Sequence, residues 1–231
     1  MARSSGPNCA LCSERACAAE PGSKKAPPFC PMRYAGKVLE EVESAYLEDE
    51  PLRRLALEAA RTESAGYCQA TRIEEVMDFA RRIGAVKLGI AHCIGLIQEA
   101  KLARDIFVAN GFEVYTVCCK VGSIAKEKIG LRDDEKVRPG QYEALCNPVG
   151  QAAILNHVGT QLNVVVGLCV GHDTLFFRHS DAPVTVLIAK DRVLGHNPVA
   201  SLYTSQTYYR RLKVDKSAQV DKTNEEGAKH R

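Results

Sequence analysis

Residues 162–173 read LNVVVGLCVGHD, an apolar run that ends in a group of chemically active side chains. The first eight residues are apolar apart from one asparagine and are rich in valine, which is typical of a buried strand. Cys169, His172 and Asp173 follow where such a strand would end. The stretch therefore predicts a strand that delivers a thiol, an imidazole and a carboxylate to one edge of a sheet.

Three further apolar runs predict the other strands of this sheet, at residues 86–93, 112–119 and 182–191. Helical patterns alternate with them, at residues 71–84, 95–111 and 147–160. Nearly continuous apolar strands that alternate with helices indicate a parallel sheet covered on both faces. The fold class that we predict is α/β, a Rossmann-like and mostly parallel sheet with helices on both faces, plus a small N-terminal cysteine-rich metal-binding segment.

The composition predicts three regions along the chain. Residues 1–35 are rich in Cys, Pro, Gly and Ser and have no periodicity with which to build a core. Residues 36–212 form the predicted α/β domain, in which cysteines line the rim, the edge of the sheet where its strands end. This region begins with a helical pattern that stops and starts again at Pro51. Residues 213–231 are polar and charged, and we expect a disordered tail.

Charge and hydropathy argue against several classes of partner. The net charge of the 231-residue chain is +3, and Lys and Arg show no clustering that would predict nucleic-acid binding. The sequence has no apolar run long enough for a bilayer and no secretory leader, so we expect a cytoplasmic protein without a membrane partner. In a reducing compartment, ten cysteines indicate metal binding or thiol chemistry rather than disulfides.

Four of the cysteines fall in the N-terminal segment, with the spacing C-x2-C-x4-C-x12-C and a proline directly after the last. Four thiolates on a segment without a core predict a metal site whose binding energy drives local folding. Zinc and a [4Fe–4S] cluster both accept four thiolates, so the residues leave the two open, and incidental cysteines in a flexible tail are the plainer alternative. The predicted metal ligands are Cys9, Cys12, Cys17 and Cys30.

A second group of cysteines lies at the predicted strand ends. Cys93 ends the first strand, Cys118 and Cys119 end the second, and Cys169 ends the third. Ligands of open parallel sheets bind outside the carboxyl edge, where these thiols would meet. We therefore predict cofactor binding by Cys93, Cys119 and Cys169, although a single buried cysteine is more often part of a core.

Three residues are predicted to act catalytically at the same rim. Cys146 opens the helix at 147–160, and a helix N-terminus lowers the pKa of a thiol. Cys146 would reach the crevice only if the preceding loop crosses the rim. His172 is a candidate proton carrier and Asp173 its orienting carboxylate, with a structural histidine as the alternative.

Several motifs together resemble the family catalogued as domain of unknown function 1847, from the N-terminal cysteine run to about Tyr203. They include GIAHCIGL, VCCKVGSI, EALCNPVGQAAILN and AKDRVLGHNPVASLY. The resemblance implies a metal-binding protein with no established reaction, and it supports the four N-terminal cysteines as the metal set. It also includes Cys93, Cys119, Cys146, Cys169, His172 and Asp173 within matched motifs.

The leading functional hypothesis is an iron–sulfur protein that acts on an unidentified small-molecule substrate or redox partner. The rim would hold a cluster or catalytic metal, with Cys146 as a fourth ligand or a reactive thiol. A non-enzymatic zinc-binding module and a thiol–disulfide redox protein are the alternatives.

Overall fold

The computed structural model of the protein describes residues 6–213. Apart from Lys213, the predicted disordered tail therefore lies outside the described residues. The chain divides into two compact units, with the boundary between Gln69 and Ala70. The sequence-based division at residue 35 assigned the helices of residues 36–66 to the α/β domain. The structure groups them with the cysteine-rich segment.

The first unit consists of the cysteine-rich segment and three helices. The helices are α1 (Pro31–Tyr34), α2 (Gly36–Glu48) and α3 (Glu50–Gly66), and they pack consecutively against one another. The side chain of Asp49 accepts a hydrogen bond from the Leu52 amide at 3.0 Å and thereby caps α3. Pro51 lies in the first turn of α3, as predicted, because proline lacks the amide hydrogen that this turn leaves unused.

The second unit alternates strands and helices, which confirms the α/β prediction. Its main elements are α4 (Arg72–Ile83), β1 (Lys87–His92), α5 (Ile97–Ala109), β2 (Glu113–Cys118), α6 (Pro148–Val158), β3 (Leu162–Val166), α7 (His172–His179), β4 (Val184–Ile188) and α8 (Val199–Tyr203). The short helix α7 was not predicted, and β4 is shorter than its apolar run. No helix between residues 6 and 213 combines the length and apolar character needed to cross a membrane.

The four strands form one sheet in the order β2-β1-β3-β4, and every pair is parallel. From β1 the chain moves outward to β2 and then returns past β1 to β3. Right-handed crossovers therefore place α5 and α6 on opposite faces of the sheet. The direction of progression reverses between β1 and β3, so the crevice outside their carboxyl ends is the switch point where ligands bind in such folds.

The two central strands are buried almost completely, as their apolar sequences predict. Helix α4 contributes an apolar face of Val76, Met77 and Ala80 to the second unit's core. A capping box joins Thr71 and Glu74 at its start, and Gly84 ends it in the left-handed conformation that its sequence predicted.

A polar contact at the centre of the sheet requires glycine at position 89. A Cβ atom there would lie 2.0 Å from Oδ1 of Asn163, which is on the neighbouring strand. Asn163 cannot move aside easily, because its Oδ1 accepts from the Thr160 hydroxyl and its Nδ2 donates to the Ser180 hydroxyl, both at 2.8 Å. The close approach of β1 and β3 beneath the rim therefore depends on Gly89.

We predict that Gly89→Ala destabilises the second unit by about 3 kcal/mol, because it overpacks the core and strains buried hydrogen bonds. Denaturant unfolding followed by circular dichroism measures the change. Gly36→Ala is the control, since its Cβ meets nothing within 4 Å and its position is helical. Equal stability of the two variants would contradict this account of the strand contact.

Candidate functional site

The four N-terminal cysteines line a single cavity of about 250 Å³. The cavity wall is formed by Cys9, Cys12, Cys17 and Cys30 together with Arg15 and Phe29, among others. Cys30 is buried, whereas Cys9 and Cys17 are exposed. The structure thus brings all four predicted metal ligands to one place.

This part of the chain holds its shape with very little buried surface. Among residues 6–35, only Ala16 and Cys30 are buried. The Asn8 amide donates to the Phe29 carbonyl at 3.3 Å and joins the two ends of the segment. A stretch with no apolar core and few long-range hydrogen bonds needs another source of folding free energy, and a bound metal would supply it.

The metal groups that four thiolates accept differ in the arrangement of ligands that they require. Within residues 6–213, no set of three or more His, Cys, Asp and Glu side chains is arranged around one metal ion. A single zinc requires its sulfur ligands at about 2.3 Å. A [4Fe–4S] cluster also takes four thiolates and fills more space.

At the rim of the second unit, the ends of β1 and β2 place two thiols side by side. His92 pairs with Cys118 in the parallel register, and the Cys119 amide donates to the His92 carbonyl at 2.8 Å. Continuing this register by one residue sets Cys93 beside Cys119. Both are nearly inaccessible to solvent, with 6% and 2% of their surface exposed.

Cys146 joins this pair at the start of α6. The Asn147 amide donates to the Cys119 carbonyl at 2.7 Å. This bond brings Cys146, the residue before Asn147, to the end of β2. Cys146 is only partly buried and is the more accessible thiol. The structure therefore brings together Cys93, Cys119 and Cys146, a group that we call the thiol row.

The long connection between β2 and α6 returns Cys146 to the rim because it is internally braced. Lys136 is buried in it and forms ion pairs with Glu127 at 2.6 Å and Asp133 at 2.7 Å. An antiparallel bridge between Ala125 and Ala144 closes the loop near its ends. The condition that this loop must cross the rim is thus met.

The adjacent cysteines 118 and 119 have different environments. The Cys119 sulfur accepts from the Ile94 amide at 3.4 Å and belongs to the thiol row. Successive side chains of a strand point to opposite faces, and Cys118 packs at the edge of the apolar core. Cys119 is therefore the rim residue of the two, as predicted for the cofactor site.

Each of three rim thiols has its own cationic partner. Lys190 donates to Cys93 at 2.5 Å, and Lys120 donates to Cys146 at 3.3 Å. Arg192 donates to Cys169 at 3.0 Å. At Cys93 and Cys146, charge-assisted hydrogen bonds of this kind stabilise the thiolate form. Lys120 and Arg192 were not identified from the sequence, although Lys120 directly follows Cys119.

The protonation of the thiol row follows from its contacts. A hydrogen bond from Cys119, followed by those from Lys190 and the Gly95 amide, lowers the pKa of Cys93. Cys119 also lowers the pKa of Cys146, with help from Lys120 and the charge of His172. The pKa of Cys119 itself is raised by its bonds to Cys146 and Cys93 and by burial. The pKa shifts therefore run in opposite directions along the row, downward for Cys93 and Cys146 and upward for Cys119 between them.

The remaining predicted residues lie beside the row at the start of α7. The Cys169 carbonyl accepts from the His172 and Asp173 amides at 2.9 and 3.1 Å, while its sulfur contacts Arg192. Nδ1 of His172 is buried and has no hydrogen-bond partner among the described residues. The Asp173 carboxylate accepts from the Thr174 amide, so the hydrogen bonds do not show it orienting His172.

The two cations at Cys93 and Cys169 come from one turn after β4. The Asp191 carboxylate accepts from the amides of Val193 and Leu194, both at 2.9 Å. This bracing sets the direction of its neighbours Lys190 and Arg192, which lie two positions apart. The turn thus connects the thiols that follow β1 and β3 on either side of the switch point.

Comparisons with known proteins identify relatives but no chemistry. The family profile described as protein of unknown function (DUF1847) matches residues 30–187. This span is narrower than the resemblance from motifs, and it includes Cys30 and the whole thiol row but not Cys9, Cys12 or Cys17.

A similar protein is an uncharacterized protein of Methanocaldococcus jannaschii, which is 42% identical over 201 residues. The alignment covers 87% of this chain and 95% of that relative. No solved structure matches the chain.

We predict that Cys146 remains reactive at a pH below the ordinary thiol range, since its lowered pKa keeps it a thiolate there. The measurement is the iodoacetamide alkylation rate of Cys146 against pH in the reduced full-length protein, mapped by peptide mass spectrometry. In the folded protein the rate should fall only at a lower pH than in the urea-unfolded protein.

Lys120→Met should move this fall toward higher pH, because a hydrogen bond and a positive charge are lost. Each unit of pKa shift lowers the thiolate fraction on the acid side roughly tenfold. Lys101→Met is the matched control, since Lys101 is exposed on α5. Identical pH profiles in the folded and unfolded proteins would contradict the assignment.

Proposed function

Because the chain belongs to the DUF1847 family, whose name assigns no chemistry, we propose a function from its own residues. It is an iron–sulfur protein that binds a [4Fe–4S] cluster through Cys9, Cys12, Cys17 and Cys30. The observation that carries this proposal is that the four thiols line one cavity.

Three properties of the segment favour a cluster over zinc. The cavity, of about 250 Å³, is larger than a single zinc ion needs, and no three candidate ligands among residues 6–213 are grouped to hold one ion. Cys30 is followed by Pro31, and a Cys-Pro end also occurs in bacterial ferredoxin sequences. Phe29 contributes apolar surface to the wall, and such surroundings restrict solvent at a cluster and tune its potential.

The thiol row supports a second candidate function, thiol–disulfide redox chemistry at the rim. Cys93 and Cys146 each accept a hydrogen bond from a lysine that favours the nucleophilic thiolate form, and both neighbour Cys119, whose pKa is raised. A rim cluster held by Cys93, Cys119 and Cys169 stays a prediction. The contacts favour redox chemistry, because Cys169 bonds to Arg192 while Cys119 contacts Cys146.

Anaerobically purified full-length protein should be brown and contain about four irons and four sulfides per chain, as one [4Fe–4S] cluster requires. Cys12→Ser and Cys30→Ser should each lose most of the iron and sulfide, whereas Cys68→Ser should retain them. Cys68 is exposed and lies outside both cysteine groups. Colourless protein with one zinc per chain would instead favour the zinc module, and about eight irons would indicate a rim cluster as well.

Removal of the metal should also expose the N-terminal segment to proteolysis, because the bound group supplies its folding free energy. After chelation, trypsin should cut rapidly at Lys24 and Lys25, while residues 70–212 stay resistant. The untreated protein is the control. Equal protection of residues 6–35 with and without metal would contradict a metal-dependent fold.

A further inference from the structure

The thiol row has a middle member that contacts both of its neighbours. Cys119 lies beside Cys93 in the continued register of β1 and β2, and its carbonyl accepts from the amide of Asn147, the residue after Cys146. Because Cys119 neighbours two other thiols, its sulfur can form a disulfide with either Cys93 or Cys146.

We propose that Cys119 passes a disulfide from Cys146 to Cys93, and that the row exchanges with the disulfide of a small anionic thiol. This inference rests on the redox-active rim proposed above and assigns a role to each member. Cys146 reacts first with the substrate, Cys119 resolves the mixed disulfide, and Cys93 receives the oxidised bond in the crevice at the switch point.

Strand geometry permits the bond between Cys93 and Cys119. The two residues follow β1 and β2 in register, and adjacent strands lie about 4.8 Å apart. Registered neighbours point to the same face, and disulfides form between residues whose Cα atoms are about 4.4–6.8 Å apart. The continued register is therefore compatible with a disulfide between the two residues.

The second bond, between Cys119 and Cys146, is permitted by the start of α6. The hydrogen bond from the Asn147 amide to the Cys119 carbonyl holds the two backbones together at 2.7 Å. A bond between Cys118 and Cys119 is not favoured, because the two side chains leave a strand on opposite faces and adjacent cysteines form a strained ring.

The exchange balances with the small disulfide as oxidant. The Cys146 thiolate attacks one sulfur of the substrate, the substrate S–S bond breaks, and one small thiolate leaves. Cys119 then attacks the sulfur of Cys146, and its proton leaves with the second small thiol. Finally, the Cys93 thiolate attacks the sulfur of Cys119, and Cys146 departs as a thiolate that Lys120 stabilises.

Accessibility and charge determine the direction and the substrate class. Cys146 is partly exposed whereas Cys93 and Cys119 are buried, so a substrate in solution meets Cys146 first. The cations Lys120, Lys190 and Arg192 all donate to rim thiols. The negative charges of Asp173, Asp191 and the thiolates offset these cations while the row is reduced. When Cys146 enters the mixed disulfide its negative charge is lost, and Lys120 is left beside the bound small thiol without its thiolate partner. A negative charge on that small thiol takes the place of the lost one, so the step favours an anionic disulfide.

The experiment treats the reduced full-length protein with glutathione disulfide, which is anionic, and quenches it at intervals with acid and an alkylating reagent. Peptide mass spectrometry then maps the products. In the wild type, glutathione should appear on Cys146 and be replaced by Cys119–Cys146 and then Cys93–Cys119 disulfides.

The variants separate the steps. Cys119→Ser should accumulate glutathione on Cys146, and Cys93→Ser should stop at the Cys119–Cys146 bond. Cys118→Ser is the matched control, since it changes the adjacent cysteine on the opposite face, and it should behave as the wild type. If the Cys119→Ser substitution prevents folding, because Cys119 is buried, the disulfides mapped in the wild type and in Cys93→Ser still test the relay.

Two failures can be distinguished. Glutathione on Cys146 with Cys119 still reduced in the wild type would overturn the relay and leave a redox-active rim. An absence of exchange at every member of the row would overturn both.

Substrate charge is tested by replacing glutathione disulfide with cystamine, which is cationic, at the same concentration. The wild type should react several-fold faster with glutathione disulfide, and Lys120→Met should reduce that ratio. A rate with cystamine that equals or exceeds the rate with glutathione disulfide would overturn the anionic substrate class.

Discussion

The hydrogen bond from the Cys119 amide to the His92 carbonyl holds the ends of β1 and β2 level, and the arrangement of the rim depends on it. Gln151 reinforces it from α6, because its fully buried Nε2 donates to the same carbonyl and to that of Val117. The ladder of hydrogen bonds between β1 and β2 ends here. Without these bonds, the backbone groups at its end would be buried without partners. A slip of one residue between the strands would turn Cys119 away from Cys93.

The charges around the row explain how buried thiols can stay reactive. Burial alone raises the pKa of a thiol and makes it inert. Here the opposing effect is larger for Cys93 and Cys146, because each neighbours the donor Cys119 and accepts a hydrogen bond from its own lysine. Cys119 has one S–H proton and donates it to one neighbour at a time, so the lysines are needed to stabilise the other thiolate.

The two cysteine groups differ in what orders them. The rim thiols are placed by strand register and by the start of α6, within a unit that has an extensive apolar core. The N-terminal cysteines surround a cavity in a segment where almost no side chain is buried. The fold therefore organises the rim thiols, whereas the order of the N-terminal cysteines is what the proposed cluster would supply.

Local pattern was sufficient to predict the α/β class, the four strands and most of the helices, because apolar periodicity and caps act over a few residues. The same reasoning placed Cys93, Cys119 and Cys169 at strand ends, and it identified the four N-terminal cysteines from their spacing. It also required the loop before Cys146 to cross the rim, but the buried Lys136 that braces this loop was not visible in the pattern.

Contacts between distant residues were decided only by the tertiary structure. The pairing of Lys190 with Cys93 joins residues 97 positions apart, and that of Arg192 with Cys169 depends on a turn built by Asp191. The choice of Cys146 rather than Cys169 as a neighbour of Cys119 depends on where α6 begins relative to β2. Sequence pattern specifies which edge a side chain reaches, but its partners there depend on strand order and loop paths, which are long-range properties of the whole sheet.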